Sequence, residues 1–132
     1  MHYLALALAL FTGAEALALE LTCYDVATHR SRPPGQPVPV TLAATVVPGT
    51  SGTKISHVRY SGAHPEILVA GPVIGVPARP TAEVDGYLFS LGNGIHLYLP
   101  QGYHTTIYIF RGQIYGADGR TRHPYGMHCK SG

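Results

Sequence analysis

The closing stretch TRHPYGMHCKSG, residues 121–132, places His123, Met127, His128 and Cys129 within seven positions. A thiolate, imidazoles and a thioether are the ligand types of a copper site. That chemistry needs a free thiolate. The chain has only two cysteines, Cys23 and Cys129, near the two ends of its folded part. In an oxidising compartment two lone cysteines pair most simply with each other, so Cys129 is expected in a disulfide. There is no HExxH and no close cysteine pair. We therefore expect no metal and no cofactor.

The remaining residues leave general acid–base chemistry open. No Gly-x-Ser-x-Gly elbow is present. A metal-free ribonuclease needs a base for the 2′-hydroxyl, an acid for the leaving oxygen and a cation for the phosphorane. His64-Pro65-Glu66 offers an imidazole beside a carboxylate. Arg111, Arg120, Arg122 and His123 offer cations and an acid. The catalytic set this implies is His64, Glu66, Arg111 and His123. The same residues also suit ordinary solvent-facing loops.

These side chains must be carried by a small fold. The chain has 132 residues, which points to one domain. MHYLALALALFTGAEA has an apolar run from Leu4 to Phe11 followed by small residues. It reads as a secretory signal peptide, residues 1–18, leaving one secreted, extracellular domain over 19–132. The apolar run is far below the roughly 20 residues of a membrane span. The formal net charge is +2 and loss of Glu15 makes it +3, a mild basicity that permits an anionic partner. A monomer is expected.

The second half of the chain alternates clearly. YLFSL (87–91), IHLYL (95–99), HTTIYIF (104–110) and QIYGA (113–117) are strand candidates. Asn93-Gly94 is a hairpin turn signal, and Pro100-Gln101-Gly102 and Arg111-Gly112 read as the next two turns. A tail strand near Tyr125 to Cys129 closes this meander, with Met127 and His128 on opposite faces. Residues 40–47, VTLAATVV, read as a strand with Val40, Leu42, Ala44 and Val46 on one face, or as a short helix between Pro39 and Pro48. The expected fold class is α+β: an antiparallel sheet of four to five strands with one short N-terminal helix or strand, its termini joined by the disulfide. An all-β sandwich is the alternative.

In the meander, Ile95, Leu97, Leu99, Ile107 and Ile109 form the expected core face. The opposite face carries His96, Tyr98, His104, Thr106, Tyr108 and Phe110. Such a face is either a set of half-exposed strand formers or a ligand-binding surface. The expected ligand contacts are Tyr98, His104 and Tyr108 with Arg111, Arg120 and Arg122. Aromatic rings with cations suit single-stranded RNA, and Tyr and Arg equally anchor protein partners.

Several segments carry a resemblance in outline. PVTLAATVV stands where an early helix would lie, and YSGAHPE follows it. TIYIF-RGQIYGAD stands as a last central hairpin and YGMHC as a closing strand between the two cysteine places. This layout resembles fungal small secreted effectors of the ribonuclease-T1-like type. Where the active enzymes carry an Asp-Arg pair, Thr105-Thr106-Ile107 stands here, and the expected late histidine would have to be His123. The resemblance implies a non-catalytic binding relative that acts on a host protein or RNA and contributes to virulence. Two alternatives remain. One is an active metal-free ribonuclease. The other is a bacterial periplasmic β-domain enzyme inhibitor, which would be all-β with residues 40–47 as a strand.

Overall fold

The computed structural model describes residues 18–49, 52–64, 71–80, 83–104 and 108–132. Residues 1–17 of the expected signal peptide, Glu66 and residues 105–107 therefore lie outside the described residues.

Among the described residues nine strands form one antiparallel sheet. They are β1 (Leu19–Asp25), β2 (Leu42–Val47), β3 (Lys54–Tyr60), β4 (Val73–Ile74), β5 (Val76–Ala78), β6 (Gly86–Ser90), β7 (His96–Pro100), β8 (Phe110–Tyr115) and β9 (Met127–Ser131). One six-residue helix, α1 (Val26–Ser31), follows β1. The strand order is β4-β3-β2-β1-β9-β8-β7-β6-β5. The expectation of an α+β domain with four to five strands is overturned: the described chain is nearly all β. Residues 42–47 are a strand, because Leu42, Ala44 and Val46 alternate into the core with no exposed helical face left to solvate. The helix arises instead at VATHRS. Asp25 caps it, accepting the Ala27 amide at 3.0 Å. Pro33 holds Arg32 extended, at φ −82° and ψ 142°, and stops the helix there.

The two ends of the strand order meet at a single residue. β4 pairs with β3 and β5 pairs with β6. Gly75 alone separates β4 from β5, and its amide donates to the Thr53 carbonyl at 3.1 Å. One segment thus borders both ends, and the sheet curls into a nearly closed barrel. Closure hides the edges that an open sheet would expose. Gly75 is required there: a Cβ would sit 2.6 Å from the Phe89 ring, which fills the barrel interior. We expect Gly75→Ala to cost about 1–3 kcal/mol by overpacking, read as a lower urea midpoint at unchanged slope.

The interior is filled by inward residues of every long strand. They include Leu21, Leu42, Ala44, Val46, Ile55, Phe89, Leu97, Leu99, Ile114 and Met127. Cys23 and Cys129 are direct partners in the β1–β9 ladder and are joined by a buried disulfide, with Cα atoms 4.0 Å apart. A formed disulfide fits an oxidising compartment. Gly112 faces it. A Cβ there would lie 2.7 Å from the Cys129 sulfur. This explains one correction: Arg111-Gly112 is no turn but the middle of β8, its glycine serving close approach.

The meander needs further corrections. Asn93 and Gly94 do turn β6 into β7, with φ of 55° and 75°. Of the strand expected over 104–110, the described residues His104, Tyr108 and Ile109 are not in a strand and Phe110 begins β8. The chain turns at 101–104, and buried Tyr103 packs edge-on against Tyr87, Phe89, His104 and Phe110. Ile109, expected in the core, is 67 % exposed beside Tyr108 at 74 %. The closing strand begins at Met127, which is buried, while His128 faces out. Among the described residues no helix is long and apolar enough to cross a membrane.

Candidate functional site

Three chain segments bring polar side chains together beside α1. Asp25 ends β1, Tyr60 ends β3, and His123 lies in the turn before β9. The Asp25 amide donates to Thr41 Oγ1 at 3.0 Å. Its carboxylate accepts from Ala27 N through Oδ1 and from the Thr28 hydroxyl through Oδ2. The turn that holds His123 is closed by Gly126, at φ 77°, whose amide donates to the His123 carbonyl at 2.8 Å.

His123 is 4 % exposed and both ring nitrogens are engaged. Nδ1 lies 3.4 Å from Asp25 Oδ2. Nε2 lies 3.0 Å from the Tyr60 hydroxyl. Next to a carboxylate, the single proton of a neutral ring belongs on Nδ1. Nε2 is then an acceptor, and the Tyr60 hydroxyl donates to it. Burial pushes the His123 pKa below the ordinary imidazole value. The Asp25 charge pulls it back up and His64 pushes it further down. The ring is therefore neutral at pH 7, and its basic nitrogen holds a phenol.

His64 stands edge-on to His123, with ring centroids 5.8 Å apart. Its Nε2 is 3.0 Å from the Arg122 carbonyl, to which it donates. Arg122 in turn reaches Asp118 at 3.1 Å. A cleft of about 400 Å³ opens here, lined by Asp25, Thr28, Thr41, His64, Arg122 and His123 among others. Gly62 forms part of its wall. A Cβ there would collide with the Tyr60 hydroxyl, so the missing side chain is what lets the phenol reach His123.

Of the expected catalytic set, His64 and His123 meet in this cleft. Arg111 is turned instead to Glu83 at 3.5 Å, and Glu66 lies outside the described residues. The expected ligand contacts are dispersed. Tyr98 is buried on the outer side of β7, beneath the chain at 83–85, with its hydroxyl donating to the Val84 carbonyl at 2.9 Å. Burial, aided by the Glu83 charge, raises its pKa. Tyr115 beside it donates to Glu83 and is pushed up to about 12 by burial first and Glu83 second. His104 is half-buried against Tyr103. Tyr108 and Arg120 are exposed, and Arg122 is half-buried.

Reasoning from sequence missed Asp25 and Tyr60. The local signal that existed was the Asp25-Val26-Ala27-Thr28 start of a helix. Pairing with residues 63 and 98 positions away has no local signal.

A second group of polar side chains lies on the outer face of the barrel. Tyr24, His128 and Arg111 are lateral neighbours across β1, β9 and β8. Arg111 also lies against Gly126 in the His123 turn, where a Cβ would be 3.0 Å from its Nε. Tyr125, 61 % exposed, is next in the chain, and the Arg30 guanidinium stacks over its ring at 5.7 Å.

Comparison with protein families, with curated proteins and with solved structures finds no match.

Proposed function

We propose that this chain is a secreted binding domain that takes single-stranded RNA along its outer Tyr24–His128–Arg111 row and the adjoining Tyr125–Arg30 stack. The observation that carries this reading is the row itself: two rings, Tyr24 and His128, and the Arg111 cation stand side by side across three strands, near an exposed tyrosine stacked by Arg30. Bases stack on such rings without sequence preference, and cations track the phosphates. The charge distribution supports it. Among the described residues the acids Glu20, Asp25, Glu83, Asp85 and Asp118 each face a cation or an imidazole. Among the described residues Arg30, Arg32, Lys54, Arg120 and Lys130 have no acidic partner, which leaves an excess of cations.

The test is fluorescence anisotropy with a labelled 12-nucleotide oligouridine. Affinity should fall steeply with added salt. Tyr125→Ala should cost about 1–3 kcal/mol of binding, or roughly 5- to 150-fold. Arg111→Ala should weaken binding and flatten the salt slope by about 0.7. Salt-independent or absent binding would overturn the reading.

The strand at 42–47 in an all-β barrel favours a second reading, an extracytoplasmic enzyme inhibitor that presents the same Tyr/Arg surface to a protein. That reading expects a stoichiometric complex with an enzyme, broken by Tyr125→Ala, and no salt-sensitive RNA binding.

A further inference from the structure

We propose that the strap formed by Glu83, Val84 and Asp85 is a built-in competitor for RNA: the Glu83 carboxylate occupies Arg111 as an RNA phosphate would, and RNA engages the row in full only when the strap lifts. The inference rests on the RNA-binding reading and adds to it the regulation of the same row.

The strap crosses the outer side of β7. The bonds that fasten it there run one way, from donors on the barrel to acceptors on the strap. Arg111 Nη2 lies 3.5 Å from Glu83 Oε1, and the Tyr115 hydroxyl donates to the same oxygen at 3.4 Å. The Tyr98 hydroxyl donates to the Val84 carbonyl at 2.9 Å. The Gln101 amide donates to the Asp85 carbonyl at 3.2 Å. A further donor is present and unused. Gln113 stands between Arg111 and Tyr115 on the outer face of β8, directly opposite Tyr98 on β7. It is fully buried. Its Oε1 accepts the Ile114 amide, and its Nε2 has no partner among the described residues.

A surface built of donors suits an acceptor-rich anion. A nucleotide is one, with phosphate oxygens for a guanidinium and base carbonyls for an amide. The strap fills that role incompletely, because it leaves the buried Gln113 amide without an acceptor. The Arg111 side chain is 54 % exposed and that of Glu83 only 8 %. The arginine is thus reachable from solvent while its counter-ion lies beneath. A phosphate arriving at Arg111 meets a guanidinium already neutralised, with a second anion beside it. Either the strap yields or the contact stays weak. Arg111 carries the only permanent charge of the Tyr24–His128–Arg111 row, so the latch governs the affinity of the whole row. Lifting the strap transfers Arg111 to the phosphate and uncovers Tyr98, with the unpaired Gln113 amide beside it for a base carbonyl.

Oligouridine anisotropy is measured for wild type, Glu83→Gln, Tyr98→Phe, Arg111→Ala and the Glu83→Gln/Arg111→Ala pair. Glu83→Gln should bind on the order of ten-fold tighter than wild type. With Arg111→Ala already in place the same change should gain less than about two-fold, because the two residues act through one contact. Tyr98→Phe loosens the strap without altering charge, and should bind roughly three-fold tighter. Nitration by tetranitromethane, located by mass spectrometry, reads the strap without RNA. Tyr98 is 1 % exposed, so it should react several-fold faster in Glu83→Gln than in wild type, with the exposed Tyr108 as internal reference. Wild-type binding that Glu83→Gln leaves unchanged would overturn the latch and leave the RNA reading standing. A gain in Glu83→Gln that Tyr98→Phe does not share, or an unchanged nitration rate, would mean that the carboxylate only repels RNA and that the strap stays down. No binding by wild type or Glu83→Gln would overturn both readings.

Discussion

Replacing Cys23 and Cys129 together by alanine should lower the unfolding free energy by about 2–5 kcal/mol, the usual cost of removing a native disulfide from a small domain. The two cysteines are 106 residues apart in sequence, so the bridge closes a loop over nearly the whole described chain. In the chain-entropy view a loop of about 100 residues stands near the upper end of disulfide stabilisation. Position adds to this. β1 and β9 are the central neighbours of the strand order and carry the first and last strands, so their pairing joins the barrel's two halves. The sulfurs are buried among Leu21, Leu42 and Leu99, and Gly112 has no side chain to expand into the space they vacate. Urea unfolding of the double variant beside the oxidised wild type reads the difference. A midpoint within error of wild type would mean that the β1–β9 ladder holds the halves together unaided. Reduced wild type should match the variant, which separates loss of the bridge from loss of two buried side chains.

How much of this was legible in the sequence follows from where each signal resides. The disulfide was legible because two cysteines allow one intramolecular pairing. The Asn93-Gly94 hairpin was legible because positive φ at both positions restricts the residue types. Leu42, Ala44 and Val46 share a face as their alternation predicts. What failed needed the closed sheet. Gly112 reads locally as a turn and serves instead to admit a sulfur. Tyr98 reads as an outward ring, yet a covering segment at 83–85 buries the outer side of β7. Period-two patterning assigns side chains to two faces; it does not say whether the outer one is wet. β4 and β5 are two and three residues long and gain their meaning only by bordering both ends of the sheet. The Asp25–His123–Tyr60 chain likewise exists only because β1, β3 and the turn before β9 converge.

Asp25 should prove the most costly polar side chain in the molecule. Asp25→Ala removes a helix cap, worth about 0.5–2 kcal/mol. It also strips the buried His123 Nδ1–H of its acceptor, adding about 1–3 kcal/mol for an unsatisfied buried donor. Together these give a loss of about 2–4 kcal/mol, allowing for relaxation. Asp25→Asn keeps the capping oxygen but sets an amide NH2 in place of Oδ2, so His123 must change tautomer, accepting at Nδ1 and donating from Nε2 to the Tyr60 oxygen; with that change it should recover most of the loss at neutral pH. The two differ from wild type in acid as well. In the wild type His123 has a lower pKa folded than unfolded. Between the unfolded value near 6.5 and the lower folded one, the unfolded chain binds a proton that the native ring refuses. Stability is therefore unaffected by this group above pH 6.5 and is lost as pH falls through that window. Without the Asp25 charge the folded pKa moves lower still, so Asp25→Asn should match wild type at pH 7.5 within the small cost of a weaker bond and fall away more steeply towards pH 5. Urea midpoints at pH 7.5, 6.5, 5.5 and 5.0 for the three proteins, with His123→Gln as the non-titrating reference, measure this. Parallel profiles for wild type and Asp25→Asn would show that the carboxylate charge does not reach the imidazole, and would leave Asp25 a helix cap alone.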